Sequence, residues 1–156
     1  MNDVTVARAL HVFAVVLWIG GVGFVTTVLL PTLKGNDVAT RLRRLDRFEE
    51  RFARQARWLV LLAGVTGLYM TARLDLWSRF EDMGFWWMHA MVLTWLAFAA
   101  MLFVIEPLGI ERRIRAKTDP EAAFRAIERL HRVLLGLALI TVLGAVAGVH
   151  GISWFG

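Results

Sequence analysis

From Val4 to Leu33 the chain runs through thirty residues in which Arg8 and His11 are the only ionisable side chains. A run of that length and apolarity is too long for one face of a soluble core. In hydrocarbon its peptide groups must bond among themselves, which leaves a helix as the only conformation for a single segment. A helix rises about 1.5 Å per residue, so roughly 20 residues cross a hydrocarbon core of about 30 Å. Three more apolar runs follow, Trp58–Ala72, Gly84–Ile110 and Val133–Phe155. The second is short, but Leu42, Leu45, Phe48 and Phe52 fall at helical spacing on the charged stretch before it, so its helix extends back to Val38. The fourth extends back to Pro120, because Thr118-Asp119-Pro120-Glu121 supplies a cap, a first-turn proline and a glutamate three residues after Thr118. The pattern predicts an all-α, integral membrane four-helix up-and-down bundle in one domain, with helices over about residues 4–33, 38–72, 84–111 and 120–154.

Composition excludes the competing classes. Of the 156 residues, 58% are hydrophobic and 20% charged, with a mean hydropathy of +0.57, which rules out disorder. Cysteine is absent, which removes disulfides, iron–sulfur clusters, thiolate zinc and covalent haem attachment. The first segment lacks a basic leader and is longer than a signal-peptide core, so it is read as retained. The net charge of +5 invites a nucleic-acid reading, but topology accounts for it. Fifteen of the eighteen basic residues fall between Lys34 and Arg57 or between Arg112 and Arg132, on one side of the predicted bundle. The positive-inside rule puts that side in the cytoplasm and both termini outside, in the periplasm of a bacterial inner membrane. Acidic residues interleave with the basic ones, and no nucleic-acid partner is expected. The arginines from Arg41 to Arg57 face either solvent or anionic lipid head groups.

With that topology His11, His89 and His150 enter the outer leaflet from three different helices. Ionisable residues at such depth are costly and are functional candidates; the alternative is an interhelical hydrogen bond. Three at matched depth favour a shared ligand, and imidazoles on facing helices hold haem iron or a metal in helical bundles. A haem b slot needs small residues, and Ala14, Gly20, Gly21, Gly23, Gly64, Gly67, Gly144, Ala147 and Gly148 provide candidates. Arg8, one turn outward from His11, suits a haem propionate or snorkels to the interface. Trp18, two turns below His11, either walls the slot or packs in the core. Met1, Met70, Met83, Met88 and Met91 gather on the outer side, so copper is the alternative cofactor, although methionine is also ordinary core filler. Trp58, Trp77, Trp86, Trp87 and Trp154 fall near the predicted boundaries and read as an aromatic belt. Glu106 precedes Pro107, where a kink is expected, and its carboxylate calls for an arginine such as Arg57 or Arg112. His131 has no histidine at its depth and reads as interfacial. No Ser/His/Asp triad, phosphate-binding loop, dinucleotide fingerprint or HExxH motif is present.

The segments HVFAVVLWIGG, RFARQARWLVLLAGVTGLYM and WWMHAMV together resemble a broad superfamily that holds the copper-resistance protein D membrane domain and the HemJ-type protoporphyrinogen oxidases. The resemblance covers most of helices one to three and helix four only loosely. It implies four-helix membrane haem b proteins in which the histidine matching His11 is a haem ligand and the third helix carries Trp-x-His-x-Lys. His89 matches that histidine, but Met91 stands at the lysine position, and Thr26 and Thr27 lie where the group carries a basic residue. Both departures argue against protoporphyrinogen oxidation. The sequence therefore points to a b-type haem protein that transfers electrons near the periplasmic face. Two of His11, His89 and His150 are its expected axial ligands, His11 with His89 first. A quinone or a periplasmic protein is the expected electron partner, membrane lipid surrounds it, and a homodimer is one form it can take. Copper binding or transport, or a HemJ-like oxidoreductase activity, are the alternatives.

Overall fold

A computed structural model describes residues 3–110, 113–114 and 117–151. Met1, Arg112, Arg115, Trp154 and the expected ends of helix three (Glu111) and helix four (152–154) lie outside the described residues. All regular structure among the described residues is helical, in four long segments. They are α1, Asp3–Leu33; α2, Val38–Arg73; α3, Met83–Ile105; and α4, Pro120–Val149.

The helix ends follow from local chemistry. Asp37 caps α2 by accepting the Thr40 N–H at 2.9 Å. Asp119 caps α4 by accepting the Ala122 N–H at 2.9 Å, with Pro120 in the first turn. Pro107 ends α3 rather than kinking it. The chain leaves the helix after Ile105 and turns at Gly109, whose φ of 62° belongs to the left-handed region that glycine tolerates. Two wider turns interrupt otherwise regular helices. Val25–Leu29 in α1 and Met101–Ile105 in α3 form π-type turns, each adding a residue and shifting the rotational phase of the residues beyond it.

Three helices, α1, α3 and α4, are long and apolar enough to cross a membrane. In α2 the uninterrupted apolar run begins only at Trp58, and the first half of the helix is rich in arginine. The exposed surface is apolar where a soluble protein would be polar. Val16 on α1 is 62% exposed, Val65 on α2 66%, Leu93 on α3 62% and Leu143 on α4 69%. Surface of that kind is stable in lipid and costly in water.

Burial follows helical spacing. Ala14, Trp18, Val22 and Val25 form one face of α1, and Ala53, Ala56, Val60 and Ala63 form one face of α2. Ala14, Trp18 and Val22 meet Leu59, Val60, Ala63 and Phe98 in one core, and Val25 belongs to the second. A second core, nearer the Lys34 turn, joins Leu30, Leu33, Leu45, Phe124 and Ile127.

Polar ties fix which ends are neighbours. Asp3, at the start of α1, accepts hydrogen bonds from Tyr69 (2.8 Å) and Arg73 (3.1 Å), at the end of α2. At the other end Lys34 meets Glu128 at 2.8 Å, and Arg41 pairs with Glu121. Arg57 reaches Glu106 at 3.0 Å and the Leu102 carbonyl at 3.2 Å, so the expected arginine partner of Glu106 is Arg57. Helices α1 and α2 therefore run antiparallel. Between α3 and α4 a buried hydroxyl pair, Thr94 and Thr141, lies at 2.9 Å. Thr141 donates to Leu137 O, so Thr94 is the donor between them.

The tryptophans divide in a way the sequence did not indicate. Trp58 and Trp77 are exposed, as a belt requires. Trp86 and Trp87 instead pack on Gly144 and Gly148 of α4, and Trp95 packs on Gly64 of α2. Trp95 also donates to Val60 O at 2.8 Å. Each glycine gives up its side-chain volume to an indole ring.

Candidate functional site

His11 is half-buried on α1 and turned toward α2. Its Nδ1 lies 2.9 Å from Ala63 O and 3.1 Å from Thr66 Oγ1. A carbonyl can only accept, so Nδ1 carries the proton and Nε2 keeps the lone pair. Thr66 spends its own hydroxyl hydrogen on Leu62 O at 2.6 Å. Gly67 makes room for the ring: a Cβ there would sit 3.2 Å from His11 Cε1. A histidine that ligates through one ring nitrogen while the other donates to a carbonyl is oriented in this manner.

The other two outer histidines make separate contacts. The His89 ring stands edge-on to Phe80, with centroids 5.4 Å apart. His150 is exposed at the end of α4 and its Nδ1 bonds Val146 O of its own helix at 2.8 Å. Among the described residues no group of three or more His, Cys, Asp or Glu side chains is placed to hold a metal ion. Arg8 is exposed on α1.

For haem the residues fit in part. The nitrogen chemistry of His11 suits an axial ligand. The small residues assigned to a slot do not all leave one. Trp95 covers Gly64, Trp86 and Trp87 cover Gly144 and Gly148, and Phe52 covers Gly21. Trp18 is a core residue, 3% exposed and edge-on to Phe98 at 4.8 Å.

A mostly apolar cavity of about 140 Å³, with carboxylates on one side, lies at the opposite, arginine-rich end, and all four helices line it. Asp46, Glu49 and Glu50 come from α2, Glu106 closes α3, and His131 comes from α4. Its inner wall is apolar, with Trp18, Phe52 and Phe98. His131 Nδ1 donates to Ile127 O at 3.0 Å, and Nε2 lies 4.0 Å from Glu49 Oε1. The Trp18 Nε1 atom is buried and finds no hydrogen-bond partner among the described residues, as is also true of Trp86 Nε1 and Arg41 Nε. Sequence reading placed His131 at the interface and missed its carboxylate neighbours. The available signal was the recurrence of Asp46, Glu49 and Glu106 at the depth of His131. Nearby, a wider open groove is lined by Arg44, Arg47, Arg51 and Arg54 with Phe48 and Glu50.

No family model, curated protein or solved structure matches the chain.

Proposed function

We propose that the chain is a multi-pass protein of the bacterial inner membrane, folded as a four-helix up-and-down bundle. Its arginine-rich end faces the cytoplasm and both termini face the periplasm. The apolar exposed surface supports the membrane setting. The Asp3–Arg73 and Lys34–Glu128 ties, at opposite ends of α1, support the up-and-down order. The four-arginine groove supports the orientation, since such a surface suits anionic head groups.

Its function in this reading is to bind haem b in the outer leaflet and transfer electrons there, to or from a quinone or a periplasmic protein. The observation that carries it is the anchored imidazole of His11, whose bonds to α2 leave Nε2 as the ligating nitrogen. His89 is the proposed second ligand, and His150 is the spare. Arg8, exposed one turn outward, is the proposed propionate partner. A bound haem would supply one-electron chemistry; the chain supplies orientation, low dielectric and the charge partner.

The experiment is an absorption spectrum of the detergent-purified protein, oxidised and dithionite-reduced. A Soret band with sharp reduced α and β bands is expected. His11→Ala and His89→Ala should each abolish the low-spin spectrum. A colourless protein from haem-replete cells refutes the reading and turns attention to copper.

A further inference from the structure

One lengthwise face of α2 is exposed from Arg44 to Leu68. Arg44, Arg47, Arg51 and Arg54 follow each other at alternating steps of three and four residues, which keeps them on one side of a helix. The same steps continue through Trp58, Leu61, Val65 and Leu68. All of these residues are exposed. The stripe is cationic at one end and apolar at the other, and Trp58, 76% exposed, stands where the two halves meet.

Two observations point independently to an anion on the cationic half. The first is pairing. Arg41 and Arg57, on the same helix, meet Glu121 and Glu106. Arg44, Arg47, Arg51 and Arg54 make no ion pair or hydrogen bond with the described residues, although all four line one open groove with Phe48 and Glu50. Four guanidinium groups outweigh the Glu50 carboxylate. The second is depth. Phe24 of α1 faces Phe48 with ring centroids 6.1 Å apart, and Gly21 lies against Phe52. Arg51 and Arg54 therefore stand level with the stretch of α1 just before Phe24, where the exposed large side chains, Leu17 and Phe24, are apolar. Measured along α2 from the Asp3–Arg73 tie, Arg54 lies at about 29 Å and Arg47 at about 39 Å. A hydrocarbon core of about 30 Å with a polar layer beyond it puts lipid phosphates between those two levels.

The apolar half matches the rest of a lipid. Trp58 to Leu68 spans about 15 Å of helix, half of a core of about 30 Å and so the depth of one leaflet. Tryptophan favours the boundary between chain and head group. A second copy of this chain does not suit the stripe. Two copies with one orientation in the membrane, meeting at this face, would set arginine against arginine.

We propose that this face of α2 is a site for one anionic phospholipid from the leaflet at the arginine-rich end. The lipid phosphate accepts charge-assisted hydrogen bonds from the groove arginines. The glycerol backbone lies beside Trp58, and an acyl chain runs along Leu61, Val65 and Leu68. The inference rests on the membrane setting proposed above and is independent of haem.

The test uses the full chain in phosphatidylcholine vesicles that contain a minor fraction of phosphatidylglycerol, with one lipid or the other carrying brominated acyl chains. Bromine quenches the indoles it touches. The Trp58 signal is the difference between the unsubstituted protein and Trp58→Phe. Trp77, exposed at the other end of the bundle and assigned by Trp77→Phe, reports lipid contact in general. Trp58 should show phosphatidylglycerol preferred over phosphatidylcholine by at least about tenfold, given roughly fivefold for each arginine near the lipid surface. Arg51→Gln with Arg54→Gln should remove most of that preference. Arg125→Gln with Arg129→Gln takes the same charge from exposed positions on α4 at the same end and should leave the preference in place. Equal affinity of the two lipids at Trp58 would overturn the site. An equal loss from both arginine pairs would also overturn it, because it would show diffuse attraction to surface charge. Trp58 untouched by either lipid while Trp77 is quenched would show that protein covers this face, which overturns it as well. If neither indole is quenched by either lipid, the membrane reading itself fails and the site falls with it.

Discussion

Gly64→Ala is the substitution whose outcome the structure specifies most sharply. A glycine in the middle of a helix is worth about 1 kcal/mol less than alanine, so propensity alone makes the change stabilising. The packing reverses that sign. A Cβ on Gly64 would lie 2.7 Å from Cε2, Cζ2 and Nε1 of Trp95, and the indole must retreat by about 1 Å to reach ordinary contact distance. That retreat stretches the 2.8 Å bond from Trp95 Nε1 to Val60 O past the usual limit of about 3.2 Å. Overpacking costs about 1–3 kcal/mol, and an unpaired buried donor and acceptor cost a similar amount. With the propensity gain deducted, Gly64→Ala should destabilise by about 3 kcal/mol. The assay is reversible unfolding in mixed micelles, run as a double-substitution cycle with Trp95→Leu. Leucine lacks both the ring and the N–H, so the glycine penalty should largely vanish in that background. Gly20 is the control, because nothing lies within 4 Å of its added Cβ; Gly20→Ala should be neutral or stabilising. The reasoning is refuted if Gly64→Ala behaves like Gly20→Ala, or if its cost is the same with and without Trp95.

The arginine-rich end yields two further outcomes. Leu45 is 0% exposed in the core shared with Phe124 and Ile127, so Leu45→Ala should cost about 2–5 kcal/mol, read in the same unfolding assay. Asp37 holds its carboxyl below the usual range, chiefly because Thr40 donates hydrogen bonds to it. A lowered carboxylate value stabilises the fold above its unfolded value, about 3.9, and that contribution is lost as pH falls through the lower folded value. The protection of the Thr40 amide, its intrinsic exchange rate divided by the observed rate at the same pH, should therefore fall on acidification through that window, whereas in Asp37→Ala it should be low throughout and show no such step.

The parts of the fold legible in the sequence were those set by local chemistry. The start of α4 was legible in Thr118-Asp119-Pro120-Glu121 because a cap is a contact within a few residues, and the start of α2 in the spacing of Leu42, Leu45, Phe48 and Phe52. The Arg57–Glu106 pair was legible because few partners for a carboxylate exist at that depth. The site was less legible because it depends on rotation about helix axes. α1, α3 and the second half of α4 are apolar nearly all round, so periodicity could not say which way His11, His89 and His150 face. Matched depth was the only sequence signal that grouped them; the contacts of His11 with α2, of His89 with Phe80 and of His150 with its own backbone had none. The π-type turns at Val25–Leu29 and Met101–Ile105, each ending two residues before a proline (Pro31 and Pro107), shift the phase of the residues beyond them. Glycines that looked like space for a cofactor are matched to tryptophans far away in sequence, which no local pattern reveals.

The three indoles of α3 carry a consequence for how this helix can sit in the molecule. Trp86 and Trp87 enter α4, and Trp95 enters α2, so α3 resembles a key cut with teeth on two sides. One residue of slip along the axis turns a helix by about 100° and withdraws every tooth from its notch at once. Lipid supplies no preference between such registers, because a slipped helix is equally apolar outside. Shape, with the Thr94–Thr141, Trp95–Val60 and Arg57–Glu106 bonds, sets the registration of α3, and the notches must already be presented by α2 and α4 before it can lock.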